Sequence, residues 1–166
     1  MSSFRYEDYI LFKYASSLLD SVKDIPLQGK FGFRTSNGYA FLSVDSMFGF
    51  MSKTILKNEG FFVRWTIMKK RYPAAHISVM LPEEYRSVPT SILESAEKEF
   101  KETSFDFKIT GVKLVYHVEK ETGDPYWLVA FEVECEQLEM IREKIQLKKK
   151  KKNYNPHLTV LEKKII

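Results

Sequence analysis

The sequence predicts an α+β fold in a single domain, with antiparallel strands and helices packed on one side. Three observations carry this. Amphipathic segments at helical spacing mix with short runs rich in aliphatic and aromatic residues. An Asn37-Gly38 pair separates two such runs and is a strong hairpin signal. Two further segments, His76-Ile77-Ser78-Val79 and His157-Leu158-Thr159-Val160, alternate polar and aliphatic side chains as half-buried strands do.

The elements follow in order. Tyr6 to Val22 reads as an amphipathic helix, with Tyr6, Tyr9, Ile10, Lys13, Tyr14, Ser17 and Leu18 recurring at helical spacing and Pro26 beyond its end. Lys30–Arg34 and Tyr39–Val44 form the hairpin around Ser36-Asn37-Gly38. Asp45 or Ser46 caps a short helix through Leu56, which Asn58-Glu59-Gly60 closes. Phe61–Met68 is a strand, Tyr72-Pro73 breaks the connection, and Ala75–Leu81 is the next strand. A helix opens at Pro89-Thr90-Ser91 and runs to about Lys101. Phe105–Glu119 is one long β segment bent at Gly111. After the turn Glu121–Pro125 come a strand Tyr126–Cys135, a helix Glu136–Leu147, a lysine-rich loop and a final strand from His157 to about Lys163.

Composition bounds the function. With 166 residues and 44% hydrophobic content, the chain can bury one proper core, and two independent domains would be cramped. The formal charge of +4, from 26 basic and 22 acidic residues, permits an anionic ligand without demanding a polynucleotide. The single Cys135 excludes an intrachain disulfide framework and a multi-cysteine metal site. The amino terminus has no apolar signal core, and no run is long enough for a membrane span. The expectation is a cytoplasmic protein with no membrane contact and no obligate protein partner.

The chemistry sits in the two His-X-Ser/Thr segments. Because strand side chains alternate, His76 shares a face with Ser78, and His157 with Thr159, while Ile77, Val79, Leu158 and Val160 point the other way. An imidazole titrates near neutrality and can take or give a proton. A hydroxyl can donate to a phosphate oxygen without burying a charge. Two imidazoles on opposite sides of a phosphodiester would divide the work, one as base toward the nucleophile and one as acid toward the leaving oxygen. His117, the third histidine, has Glu119 where the motif needs a hydroxyl, and it reads as a structural or surface residue. Three scattered histidines and one cysteine give no metal-ligand spacing.

The pair of motifs resembles the signature of the 2H phosphoesterase superfamily (LigT-like). The separation of 81 residues, the context Asn155-Pro156-His157-Leu158-Thr159-Val160 and the lead-in Tyr126–Val133 followed by Leu138–Ile145 are all similar to that family. The resemblance covers roughly residues 61–163. It implies two pseudo-symmetric antiparallel-sheet lobes with outer helices around a central cleft. It also implies His76 and His157 as the acid–base pair, Ser78 and Thr159 as phosphate ligands, and no metal or other cofactor. Residues 1–60, read as helix, hairpin and helix, complete the first lobe or form a lid. Loops beside the motif strands line the cleft in such a fold, so Tyr72 and Tyr154 are the better candidates for stacking on a base, ahead of Trp65, Tyr126 and Trp127. Lys151 and Lys152, in the run Lys148–Lys152, are candidates for electrostatic recruitment of an anionic substrate.

The resemblance further implies a small nucleotide or oligonucleotide substrate. Members act on RNA ends with 2′,3′-cyclic phosphates, on 2′,5′-linked oligoadenylate and on cyclic dinucleotides. Some virus and phage members of similarly compact form degrade immune messengers such as cyclic GMP-AMP. A signal-degrading phosphodiesterase is the leading expectation, with RNA-end processing second. The alternative of another class is a nucleic-acid-binding module that keeps the fold without turnover, which the basic loop and the aromatic content of 14% also suit.

Overall fold

The computed structural model describes residues 5–24, 27–44, 47–64, 75–148 and 155–166. Among these residues, four α-helices and eight strands follow in the order α1 (Tyr6–Val22), β1 (Gln28–Phe33), β2 (Ala40–Val44), α2 (Met47–Leu56), β3 (Phe62–Val63), β4 (Ala75–Ser78), α3 (Thr90–Glu99), β5 (Phe105–Asp106), β6 (Lys108–Val118), β7 (Pro125–Glu134), α4 (Leu138–Lys144) and β8 (His157–Lys164). All strand pairs are antiparallel, in one curled sheet of order β5-β1-β2-β4-β8-β7-β6, with β3 on β8. The two lobes implied by the resemblance are the halves of this sheet. They meet where β4 pairs with β8 at Ile77 and Leu158.

One face of the sheet is the core. Phe31, Leu42, Ile77, Leu158 and Phe131 lie in register across five strands, and all are buried. Ile10 and Leu18 of α1, Leu93 of α3 and Leu138 and Ile141 of α4 join the same cluster. Helices therefore back this face, which leaves the opposite face for polar side chains.

Several elements differ from their expected limits, each for a local reason. The β segment beginning at Phe105 splits at buried Phe107, whose backbone N–H donates to the Leu27 carbonyl at 3.0 Å. β5 consequently pairs with β1 in one half and β6 with β7 in the other. The expected bend is a β-bulge between Ile109 and Gly111. The first motif strand stops at Ser78, not Leu81, because the chain bends at Val79 and Met80. The expected helix to Leu147 ends at Lys144; Gln146 is left-handed (φ 64°), and Leu147 donates back to the Arg142 carbonyl. Of the strand expected over Phe61–Met68, only Phe62–Val63 is β; residues 65–68 lie outside the described residues, as do the proposed caps Asp45 and Ser46.

A second bulge bears directly on the second motif. Thr159 pairs with Ala130, but Leu161 pairs with Val129, so Val160 is the extra residue. Simple alternation would send Leu161 to the same face as Thr159. The bulge returns Leu161 to the core, where it is fully buried. Among the described residues, no helix is long and apolar enough to cross a membrane.

Candidate active site

The register of β4 on β8 brings the two motifs together. Ile77 is opposite Leu158, and in an antiparallel pair each step forward on one strand is a step back on the other. His76 is therefore opposite Thr159, and Ser78 opposite His157. Ile77, Val79, Leu158 and Val160 are all buried in the core, so the four polar side chains share the other face. The two histidines are diagonal neighbours, a relation that sets residues roughly 7–8 Å apart. That separation suits a phosphate held between two imidazoles.

Adjacent strands extend this constellation into two rows on the same face. One row is Lys30, Ser43, His76, Thr159, Ala130 and Lys113. The other is Gly32, Phe41, Ser78, His157, Glu132 and Gly111.

His76 stands among rings. Its imidazole is edge-on to Tyr39, with centroids 5.8 Å apart, and 6.1 Å from Phe41. Tyr39 in turn meets Tyr85 at 5.0 Å. Gly32 makes room for this group: a Cβ there would come within 3.0 Å of the Phe41 ring. Sequence reasoning placed base-stacking elsewhere and missed these aromatics. Their signal was the hairpin itself, since pairing β2 beside the motif strand sets Phe41 opposite Ser78.

His157 stands among charges. Its imidazole is held below the ordinary histidine range, first by burial and then by the Lys113 ammonium, while a ring N–H donating to the Asn155 backbone opposes the shift. The side chain nevertheless reaches solvent. The ring nitrogen bonded to Asn155 fixes the tautomer and leaves the other nitrogen as acceptor. Glu132 is opposite His157 in register but leans away. Its carboxyl lies over Gly111, where a Cβ would meet Cδ at 3.5 Å.

The two hydroxyls differ. Ser78 Oγ donates to the Met80 carbonyl at 2.6 Å, so its proton is already engaged. Thr159 has no hydrogen bond to its hydroxyl among the described residues. Arg142, fully buried on α4, is a residue that sequence reasoning passed over. Its Nη1 donates to the Val79 carbonyl at 2.7 Å, just past the first motif. Both Nη atoms bind the Glu84 carboxylate, and Nε and Nη2 bind the Lys148 carbonyl ahead of the second motif. An arginine at helical spacing gives no sign in sequence that it is interior.

Trp127 packs against Tyr6 of α1 at 5.7 Å and against Tyr116 at 5.6 Å, away from the cleft face. His117 is half-buried and faces Glu119 at 3.8 Å; burial and Arg64 lower its pKa against the pull of Glu119. Tyr72, Tyr154, Trp65, Lys151 and Lys152 lie outside the described residues. Among the described residues, no group of three or more His, Cys, Asp or Glu side chains is arranged to hold a metal ion.

The family described as 2H-SAK, "Swiss Army Knife, 2H phosphoesterase domain", matches residues 43–165. No curated protein and no solved structure matches the chain.

Proposed function

The chain belongs to the 2H phosphoesterase family and is a phosphodiesterase; from that premise we propose that His76 and His157 cleave a nucleotide phosphodiester by acid–base catalysis without a metal. The observation that carries the reading is the β4–β8 register, which sets both imidazoles and both hydroxyls on one face. His157, with a depressed pKa and one acceptor nitrogen, takes the proton of the attacking hydroxyl or water. His76 gives a proton to the leaving oxygen. Thr159 donates to a nonbridging oxygen, and Ser78 joins it after releasing Met80.

The substrate we propose is a cyclic dinucleotide or 2′,5′-linked signal, such as cyclic GMP-AMP. Half-buried Phe41 beside His76, and exposed Tyr85 packed on the buried Tyr39, support a substrate with bases close to the scissile phosphate. The test is a panel of cyclic dinucleotides, 2′,5′-oligoadenylate and 2′,3′-cyclic nucleotides incubated with protein in excess chelator. Turnover of the first two groups, lost in His157→Ala, is expected. Turnover of 2′,3′-cyclic nucleotides alone would move the assignment to RNA-end processing. Tight binding without turnover would make the protein a binding module.

A further inference from the structure

We propose that Lys113 is a substrate-binding residue of this site, its ammonium taking a phosphate oxygen on the Thr159 side of the cleft and facing the His157 imidazole. The proposal deepens the phosphodiesterase reading and rests on it.

The geometry comes from three strands. Lys113 on β6 is opposite Ala130 on β7, and Ala130 is opposite Thr159 on β8. All three therefore share the cleft face. Strands are spaced about 4.8 Å apart, so Lys113 and Thr159 are separated by roughly twice that. The residue between them is alanine, which projects only a methyl group. The flexible four-carbon stem of lysine can cross the gap above it. A phosphate oxygen held by the Thr159 hydroxyl would then meet an ammonium from the far side.

The surroundings leave Lys113 available. It is half-buried and has no ion pair among the described residues. Glu132, its diagonal neighbour and the nearest acid by register, holds its carboxyl over Gly111 instead. Lys30 occupies the mirrored place in the same row, two strands beyond His76, but is exposed. The two halves thus differ in which lysine is drawn into the cleft.

A cation here has a second effect. The groups facing His157 are Ser78 and His76 from β4, Glu132 from β7, Lys113 from β6 and the Asn155 carbonyl from its own segment. Of the side chains among them, Lys113 is the one whose charge lowers the His157 pKa. Together with burial, the larger cause, it favours the neutral imidazole in the free enzyme, which suits His157 to act as base. When an anionic substrate neutralises Lys113, the imidazole becomes more basic as the reaction begins.

The test compares Lys113→Met and Lys113→Arg with the parent protein. Lys113→Met is expected to raise KM about tenfold or more, the usual worth of a hydrogen bond to a charged group. It should also move the acidic limb of kcat/KM up toward the unperturbed histidine value, about 6.5. Lys113→Arg should restore most of the binding. Independently of turnover, the His157 NMR titration in the free protein should move up in Lys113→Met, and inorganic phosphate should perturb that signal less than in the parent. If no panel substrate is turned over by the parent protein, the proposed substrate reading fails, and the NMR titrations still decide Lys113. An unchanged His157 midpoint with an unchanged response to phosphate would overturn the proposal, as would an unchanged KM and pH profile in an active enzyme.

Discussion

The two halves of the sheet carry the same short motif in different surroundings. Around His76 the neighbours are aromatic: Tyr39 and Phe41 meet the imidazole, and the paired hydroxyl, Ser78, is committed to Met80. β4 has four residues and ends immediately after the motif. Around His157 the neighbours are charged: Lys113 acts on the imidazole, Glu132 is turned aside, and the Thr159 hydroxyl has no hydrogen-bond partner among the described residues. β8 has eight residues and pairs along its length with β7. Acid–base catalysis by two histidines needs one protonated and one unprotonated imidazole at the same pH. Unlike surroundings are how one site holds two such groups in different roles. In the proposed mechanism the motif supplies the residue types, and the neighbouring strands supply the difference in role.

The largest test of this division removes each imidazole. His157→Ala and His76→Ala should each lower turnover by about 10²–10⁴-fold, the usual contribution of a positioned acid or base. The double variant should fall far short of the product of the two losses, because the residues act as a unit. Burst and steady-state kinetics on the substrate found in the panel would measure this. Full turnover in either single variant would break the comparison, since only one half would then hold chemistry.

Arg142 joins the two halves, and its removal should show in stability. It binds the Val79 carbonyl at the end of the first motif, the Lys148 carbonyl after α4 and the Glu84 carboxylate, with 1% of its own surface exposed. Arg142→Met would strand a partly buried carboxylate and two carbonyls. Breaking a buried pair in this way costs roughly 3–5 kcal/mol. Urea unfolding should show that loss as a lower midpoint with little change in slope. A loss below about 1 kcal/mol would mean that Val79, Glu84 and the segment after α4 hold their places without this tie.

Much of this arrangement was legible in the chain, and what was not has physical causes. Alternation within His76–Val79 and His157–Val160 put each histidine with its hydroxyl on one face, and the buried aliphatic residues agree. Asn37-Gly38 gave the hairpin, with Gly38 at φ 68°. Register between distant strands was not legible, because it depends on which edges meet. The cross-strand partnering of His76 with Thr159, and the places of Phe41 and Lys113, emerge only from that pairing. The break at Phe107 was hidden for the same reason: apolar and polar residues alternate without interruption from Phe105 to Thr110, and that alternation gives no sign that the two ends of the segment serve different neighbours. Gly111 did mark its bend, since the register of β6 on β7 shifts between Ile109 and Gly111.

The smallest expected effect separates the two hydroxyls, and it sharpens the comparison most finely. Thr159→Val keeps the shape and removes a donor that has no other described commitment. It should lower kcat/KM about tenfold, as expected for a hydrogen bond to a charged oxygen, and leave the unfolding midpoint nearly unchanged. Ser78→Ala removes a hydroxyl that already donates to the Met80 carbonyl. Its contact with substrate would require giving up that bond, so the net gain from the contact is small. Activity should fall only a few-fold, while stability should drop by about 1 kcal/mol as the carbonyl loses its donor. The two variants should therefore cross, one costing rate and the other costing stability. Measuring kcat/KM and urea midpoints on both proteins would reveal the crossing. Should Ser78→Ala cost as much activity as Thr159→Val at unchanged stability, Ser78 would be turned toward the phosphate during the reaction. The hydroxyls would then be equivalent, and the asymmetry of the site would lie in the imidazoles alone.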